Sequence, residues 1–224
     1  MSEFSTDPVS VIFDLDGTLV DSAPDIHAGV TALLQDMGVE PLPFEVVRGF
    51  IGGGVPVLID RVMAARGLDA ALRGDLIARF TAAYEHAPDG LTTAYSGVRD
   101  ALRALTEAGL RLGLCTNKPT GPTRGLLAAF GWTGLFDSLI CGDTLAVRKP
   151  DPAPLQAAVA QMGGGAAVFV GDSEVDVATA QAAGVPLLLF TGGYRKTPVA
   201  DLAHHAAFDH FDALAGLVAA FRPR

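Results

Sequence analysis

The sequence predicts an α/β fold: a Rossmann-like parallel sheet core with an inserted all-helical cap domain. Short aliphatic runs alternate with helical patterns along most of the chain, which is typical of a parallel sheet wrapped by helices. One interval, residues 22–89, contains only helix-like segments. Half of the 224 residues are hydrophobic, so the chain has enough apolar side chains for a sizeable core.

The bounds of the individual elements are predicted from hydrophobic periodicity and from the Gly and Pro residues that mark element ends. The predicted strands are residues 9–13, 110–115, 138–141, 166–170 and 186–190. The predicted helices are residues 98–108, 120–130, 152–162 and 175–183. The helical interval begins after the first strand and ends at the turn-rich Pro88-Asp89-Gly90. We therefore expect a core of residues 1–20 and 93–224 and a cap of residues 21–92.

Composition excludes several classes of partner. The formal net charge is −9 and the 16 basic residues are scattered, so nucleic acid is not expected as a partner. The N-terminal segment is polar and no apolar run is long enough for a bilayer, which predicts a cytoplasmic protein without a membrane partner. The expected assembly is a monomer or homodimer. The two cysteines, Cys115 and Cys141, are expected to be buried free thiols. No histidine falls in a motif, and His204 and His205 are expected on a wet helix surface.

Two aspartates follow the first predicted strand. The segment Val11-Ile12-Phe13-Asp14-Leu15-Asp16-Gly17-Thr18 delivers them to the carboxyl edge of the sheet, where open α/β folds bind ligands. Two acids at this spacing suit phosphoryl transfer: Asp14 attacks phosphorus, and Asp16 donates a proton to the leaving alkoxide and later accepts one from water. Taken alone, an Asp-x-Asp pair is also typical of a solvated turn.

The surrounding residues favour the catalytic interpretation. Residues 14–22, Asp-Leu-Asp-Gly-Thr-Leu-Val-Asp-Ser, resemble the first motif of the haloacid dehalogenase superfamily of phosphatases. That family has three further motifs in fixed order, each after a core strand. The matching segments are Cys115-Thr116-Asn117-Lys118, Arg148-Lys149-Pro150-Asp151-Pro152 and residues 168–176, Val-Phe-Val-Gly-Asp-Ser-Glu-Val-Asp.

The resemblance implies a role for one polar residue or more in each segment. Thr116 matches the hydroxyl that bonds a phosphoryl oxygen, with Asn117 beside it in the site. Lys149 matches the cation that neutralises the nucleophile and the phosphate. Arg148 competes with Lys149 on charge alone, but the family pattern places Lys directly before Pro.

The same resemblance implies a Mg²⁺ site. Its residues are Asp14, Asp16 through its main-chain carbonyl, Asp172 as a direct ligand, and Asp176, which orients a metal-bound water or Lys149. A set of oxygen ligands without His or Cys suits Mg²⁺. Asp176 is also the kind of acid that a helix N-terminus favours without any catalytic role.

The insertion matches the helical cap of one subclass of the family, which closes over the site and reads the leaving group. Residues 21–26, 47–54 and 116–119 resemble phosphoglycolate phosphatases in particular, which implies 2-phosphoglycolate or a similar small phosphorylated metabolite as substrate. Arg48 is a candidate for binding a second anionic group. Gly53, in the triple glycine Gly52–Gly54, marks either a loop close to the substrate or a plain helix connector.

The expected activity is therefore a Mg²⁺-dependent phosphomonoester hydrolase that works through an aspartyl-phosphate. Two alternatives remain open. A sugar phosphomutase of the same fold would share every motif and return the phosphoryl group to a sugar. A non-catalytic phosphate-binding relative should have lost a charged catalytic group, yet Asp14, Asp16, Lys149 and Asp172 are all present.

Overall fold

A six-stranded parallel sheet lies at the centre of the core. The computed structural model describes residues 10–85 and 90–221. Its strands are β1 (Ser10–Phe13), β2 (Val20–Asp21), β3 (Thr93–Ala94), β4 (Arg111–Cys115), β5 (Ser138–Ile140), β6 (Ala167–Gly171), β7 (Leu187–Phe190) and β8 (Ala206–Phe208). The large sheet has the order β5-β4-β1-β6-β7-β8. All neighbouring strands in it pair parallel, so their carboxyl ends share one edge.

Helices cover both faces of this sheet. They are α5 (Val98–Glu107), α6 (Thr120–Ala129), α7 (Ala153–Gln161), α8 (Glu174–Ala183) and α9 (Leu214–Ala219). Alternate side chains of β1 point to opposite faces: Val11 and Phe13 join an apolar cluster with α5, α6 and α9, whereas Ile12 joins a second cluster with α7 and α8. The central strand is thus buried on both sides, which explains its continuous apolar sequence.

Within the described residues, four α-helices form the cap and share an apolar cluster of their own. They are α1 (Ala23–Asp36), α2 (Phe44–Arg48), α3 (Gly54–Arg66) and α4 (Arg73–Glu85). Their buried side chains, among them Leu34, Ile59 and Phe80, pack together in a cluster separate from the two that line the sheet. A helix with a single apolar stripe needs such a partner surface to be stable, and the cap helices supply it to one another.

A short antiparallel ribbon connects the cap to the core. Strand β2 leaves the core and pairs with β3, where the chain returns, in the register Val20 to Ala94 and Asp21 to Thr93. At the start of α1, the carboxylate of Asp25 accepts hydrogen bonds from the main-chain N–H groups of Leu91 and Thr92, at 3.2 and 2.8 Å. The two connections to the cap are therefore held side by side.

The predicted fold class is confirmed. All five predicted strands and four predicted helices are present, with ends displaced by at most one residue in the described part of the chain. Residues 22–85 contain helices and no strand, as expected for the insertion. Val9, Pro88 and Asp89, which also belonged to predicted elements, lie outside the described residues.

The predictions missed several elements. The edge strand β8 has the sequence Ala-Ala-Phe, which lacks the β-branched residues that indicate strands. Helix α9 and the two-residue strands β2 and β3 were also missed. The expectation for His204 and His205 is wrong: they precede β8 in a loop, where His205 Nδ1 accepts a hydrogen bond from the Leu187 N–H at 3.2 Å.

The longest of the described helices, α1, has 14 residues. Within residues 10–85 and 90–221, none combines the length and the apolar composition that crossing a bilayer requires.

The two cysteines should be inert in the folded protein. Cys115 is fully buried and Cys141 is 3% exposed, and both are free thiols, as the sequence predicted. Burial raises the pKa of Cys115 to about 12 and also raises the pKa of Cys141. Since the thiolate is the reactive form, we expect an aromatic disulfide reagent to modify no thiol in the native protein and two in denaturant, measured by absorbance. Rapid modification of the native protein would contradict this packing.

Candidate active site

The four sequence motifs meet at the carboxyl edge of the large sheet. Asp14 follows β1, Thr116 follows β4 and Asp172 follows β6, and these three strands are neighbours in the sheet. Lys149 reaches the same place from the loop between β5 and α7. Because parallel strands end at one edge, residues separated by more than 150 positions become neighbours.

Lys149 lies between two carboxylates. Its Nζ is 2.9 Å from Asp14 Oδ1 and 2.7 Å from Asp176 Oδ1, and all three side chains are buried. Burial alone would lower the pKa of Lys149, but the two carboxylates raise it above its ordinary value. Arg148, the alternative cation, is exposed and donates to the Gly142 carbonyl at 2.6 Å. The structure therefore places Lys149, and not Arg148, against the predicted nucleophile.

Asp176 holds the start of α8 as well as Lys149. Its Oδ2 accepts hydrogen bonds from the N–H groups of Asp172 and Ser173, both at 3.1 Å, and from Ser173 Oγ at 2.7 Å. Ser173 and Asp176 thus form a capping box at the helix N-terminus. Both carboxylate oxygens of Asp176 are already engaged, which fits the orienting role predicted for it.

Asp172 is fixed by two donors from distant segments. Thr18 Oγ1 donates to Asp172 Oδ1 at 2.7 Å, and the Tyr194 N–H donates to Asp172 Oδ2 at 2.7 Å. A Cβ atom at Gly193 would lie 2.2 Å from Asp172 Oδ2, so the carboxylate fills the space that a side chain at position 193 would occupy. Asp172 therefore has a fixed position and only 1% exposure.

Three of the buried carboxylates form a potential metal site. Asp14, Asp172 and Asp176 each offer an oxygen atom, and these atoms all lie within 4.8 Å of one another. Two like charges at that distance repel by roughly 3 to 4 kcal/mol at an effective dielectric constant of about 20. Burial raises the pKa of Asp14 to about 6 against the opposing effect of Lys149, and burial with the other two carboxylates holds the pKa of Asp172 well above its ordinary range.

One ammonium group does not balance three carboxylates. The cluster of Asp14, Asp172 and Asp176 with Lys149 has a surplus of negative charge when ionised, and its donors are all hard oxygen atoms. A divalent cation such as Mg²⁺ is suited to both features. The residues present therefore fit a metal ion of this kind.

The Asp16 side chain points to a different group of partners. Its Oδ1 accepts from Ser22 Oγ at 2.6 Å and from Lys118 Nζ at 3.0 Å. Lys118 also bonds the hydroxyl of Tyr84 on α4, with its Nζ 4.3 Å from the centre of that ring. The carboxylate of Asp16 is thus outside the cluster of Asp14, Asp172 and Asp176, although it lines the same cavity as Asp14.

The segment after β4 connects the core to the cap. Thr116 is buried, and its Oγ1 accepts from the Lys118 N–H at 3.2 Å. The Asn117 side chain donates to the carbonyls of Lys149 and Gly52, both at 2.9 Å. Asn117 therefore joins the Lys149 loop to the glycine-rich segment of the cap.

Two glycines of the triple glycine Gly52–Gly54 in the cap lie close to this segment. Gly54 has φ +79°, and a Cβ there would lie 3.0 Å from the Asn117 carbonyl oxygen, so both conformation and space favour glycine. Gly52 and Gly54 line the cavity that contains Asp14. Gly53, the predicted residue, precedes α3, and a Cβ there would lie 2.7 Å from the Val57 side chain.

Arg48 contacts the core away from that cavity. Its Nη2 donates to the Gly193 carbonyl at 3.1 Å, and its guanidinium carbon lies 5.7 Å from the centre of the Tyr194 ring. It lines a separate surface cavity of about 340 Å³, together with residues 191–193 and 195–198. The structure brings Arg48 to the loop that holds Asp172, and its predicted binding of an anion stays a prediction.

Sequence reasoning gave no role to three residues of the site: Lys118, Tyr84 and Tyr194. The Tyr194 hydroxyl accepts from the N–H groups of Ser22 and Ala23 at 2.7 and 3.0 Å and lies 2.8 Å from Asp21 Oδ1. Lys118 had a signal, since it stands next to Thr116 and Asn117 in the second motif. The two tyrosines had none, because nothing in their local sequence indicates contact with positions far along the chain.

Comparisons with known proteins agree with this geometry. The family described as haloacid dehalogenase-like hydrolase matches residues 11–190. The phosphoglycolate phosphatase of Cereibacter sphaeroides is 53% identical over 93% of this chain and 96% of its own length. That of Rhodospirillum rubrum is 46% identical over 92% of this chain and 89% of its own length.

A solved structure shows the same fold. The crystal structure of a predicted phosphoglycolate phosphatase from Haemophilus somnus matches with a TM-score of 0.89 and 30% identity, covering 96% of this chain and 100% of that one. The chain therefore belongs to the haloacid dehalogenase-like hydrolase family. The prediction of an enzyme of this family that resembles phosphoglycolate phosphatases is confirmed.

The contact between Gly193 and Asp172 can be tested by substitution. Gly193→Ala should lower the free energy of unfolding by about 1 to 3 kcal/mol, because the added methyl group overlaps a fixed carboxylate. Gly125→Ala is the matched control: position 125 lies inside α6 with open space around it, and the change should raise stability by about 0.5 to 1 kcal/mol. Denaturant unfolding measures both, and equal effects would contradict the geometry.

Proposed function

We propose that this chain is a phosphatase that hydrolyses 2-phosphoglycolate or a similarly small phosphomonoester through an aspartyl-phosphate on Asp14. The observation that carries the proposal is the buried Asp14 carboxylate, in contact with Lys149 and within 4.8 Å of two further carboxylates. The substrate rests on relatives named phosphoglycolate phosphatase, which share up to 53% identity with nearly the whole chain.

The proposed cofactor is Mg²⁺. Asp14, Asp172 and the main-chain carbonyl of Asp16 would hold it, while Asp176 orients Lys149 through the 2.7 Å contact. When bound, the ion would neutralise negative charge on the phosphoryl group and the carboxylates. The hard oxygen donors and the surplus of negative charge support this choice.

The proposed reaction assigns each remaining step to a residue of the chain. An Asp14 oxygen attacks phosphorus, and the bond from phosphorus to the leaving oxygen breaks. Asp16 gives its proton to the leaving alkoxide, which departs as an alcohol. Water then attacks the aspartyl-phosphate, gives a proton to Asp16 and releases phosphate, which restores Asp14. Lys149 stabilises the developing negative charge, and Thr116 and Asn117 orient the phosphoryl group.

Cap boundaries, location and assembly belong to the same proposal. We propose that the cap extends over residues 21–92 between core segments 1–20 and 93–224, supported by its separate apolar cluster and the ribbon of β2 and β3. The predicted cytoplasmic location and the predicted monomer or homodimer stay predictions.

Replacing the nucleophile tests the covalent route. Asp14→Asn should reduce phosphate release from 2-phosphoglycolate by at least about 10³-fold, because an amide cannot carry the phosphoryl group. Acid quenching followed by mass spectrometry should detect phosphorylated Asp14 in the parent and none in the variant. Asp36→Asn, which changes an exposed acid, is the control and should retain activity. Full activity of Asp14→Asn would remove the mechanism, and phosphoryl transfer to a sugar in place of water would indicate the phosphomutase.

Removing the metal tests the proposed ligands. A chelator should abolish turnover and added Mg²⁺ should restore it. Calorimetric titration with Mg²⁺ should show binding to the parent that is at least about tenfold weaker in Asp172→Asn, since a direct ligand loses its charge. Asp201→Asn changes an exposed carboxylate and should bind Mg²⁺ like the parent. Full activity in chelator, or unchanged Mg²⁺ binding in Asp172→Asn, would contradict the site.

A further inference from the structure

Lys118 is a second buried lysine that lines the cavity of the proposed nucleophile, and the mechanism above does not use it. It is 4% exposed and follows Thr116 and Asn117 at the end of β4. Its ammonium group contacts Asp16 Oδ1 at 3.0 Å and the hydroxyl of Tyr84. A lysine ammonium has three N–H donors, and Asp16 Oδ2 also lies 3.4 Å from Nζ. With Asp16 bonded through the shorter Oδ1 contact, one donor is available to a ligand.

Lys118 differs in charge from the other residues that line the cavity. The cavity between cap and core has a volume of about 40 Å³. Apart from two glycines and Tyr84, the cap contributes only apolar side chains to its lining: Ile26, Ile51, Val55, Leu58 and Phe80. Among the described residues that line the cavity, Lys118 is the one with a positive charge, and Tyr84 is the polar cap side chain beside it.

A substrate with a second anionic group needs a positive charge and a hydrogen-bond donor in this cavity. The phosphoryl end is met by Lys149 and by the groups around Asp14. A carboxylate on the leaving group would otherwise enter an apolar pocket next to Asp16, and burying an unpaired charge is very costly. An ammonium group and a phenol hydroxyl supply the hydrogen bonds that such a carboxylate requires.

We propose that Lys118, assisted by Tyr84, binds the carboxylate of the leaving group and selects short phosphorylated hydroxy acids over uncharged phosphomonoesters. This inference rests on the proposed function and assigns its substrate specificity to one residue pair. Lys118 stands two residues after Thr116, so the two anionic groups of the substrate are recognised by one short segment. The small cavity and this short spacing favour a leaving group of about two carbon atoms.

Arg48 is the other candidate, and its contacts point elsewhere. Its guanidinium group donates to the Gly193 carbonyl and lines the separate cavity of about 340 Å³. It is not among the residues that line the cavity of Asp14, Asp16 and Lys118.

Two substrates of equal length separate specificity from general catalysis. The first is 2-phosphoglycolate, and the second is ethyl phosphate, which has a methyl group in place of the carboxylate. Lys118→Met should lower kcat/KM for 2-phosphoglycolate about 10- to 100-fold more than for ethyl phosphate. Tyr84→Phe should shift the same ratio in the same direction by about 3- to 10-fold. For each substrate, the kcat/KM of the variant is divided by the kcat/KM of the parent. This division removes the intrinsic difference in reactivity between the two esters.

Two controls separate the loss of carboxylate binding from a general effect of removing a positive charge and from misfolding. Arg103→Met removes a positive charge from an exposed position on α5 and should leave the ratio of the two substrates within about twofold of the parent. Circular dichroism and thermal unfolding identify a variant that fails to fold. Because Tyr84→Phe keeps the ring, it tests the site even if Lys118→Met is unstable.

Several results would overturn the inference. Equal losses on both substrates would mean that Lys118 acts only through Asp16. A carboxylate-specific loss in Arg48→Met, with none in Lys118→Met, would assign the recognition to Arg48. A parent enzyme that releases phosphate from neither ester would refute the proposed function itself. An active parent with an unchanged ratio in both Lys118→Met and Tyr84→Phe would refute only the present inference.

Discussion

The contact of Lys149 with Asp14 and Asp176 is the interaction on which the rest of the site depends. The three side chains come from the end of β1, the loop before α7 and the first turn of α8, and one ammonium group joins them at 2.9 and 2.7 Å. A buried ion of this kind is tolerated only with partners of opposite charge and with hydrogen bonds that replace water. The charges proposed to serve phosphoryl transfer therefore also hold these three segments together.

Asp176 shows how one residue can serve both folding and the proposed chemistry. One of its oxygens completes the capping box of α8 and the other holds Lys149. Asp176 belongs to α8, which packs against the sheet. The Lys149 ammonium is therefore oriented by a helix and not by a surface loop. Because the same carboxylate accepts from the Asp172 N–H, the positions of Lys149 and Asp172 are coupled through Asp176, which is how a rigid scaffold fixes catalytic geometry.

The sequence specifies the core of this site more fully than its cap side. Strand ends are readable because apolar runs stop at polar residues, and parallel strands must then bring Asp14, Thr116 and Asp172 to one edge. The bond from Lys118 to Asp16 spans 102 positions, and that from Tyr194 to Ser22 spans 172. No periodicity encodes such contacts, since they arise only when separate elements dock. The strand β8 was missed for a local reason, because its alanines lack β-propensity.

The segment after β4 links the proposed substrate chemistry to the position of the cap. Thr116 is the residue proposed to orient the phosphoryl group, Asn117 bonds the cap carbonyl of Gly52, and Lys118 bonds Tyr84 on a cap helix. Three consecutive residues therefore contact three different parts of the site. A displacement of the cap from the core would break the hydrogen bonds of Asn117 to Gly52 and of Lys118 to Tyr84. Since Lys118 also holds the Asp16 carboxylate, docking of the cap and orientation of the proposed general acid are parts of one hydrogen-bond network, and neither can be set independently of the other.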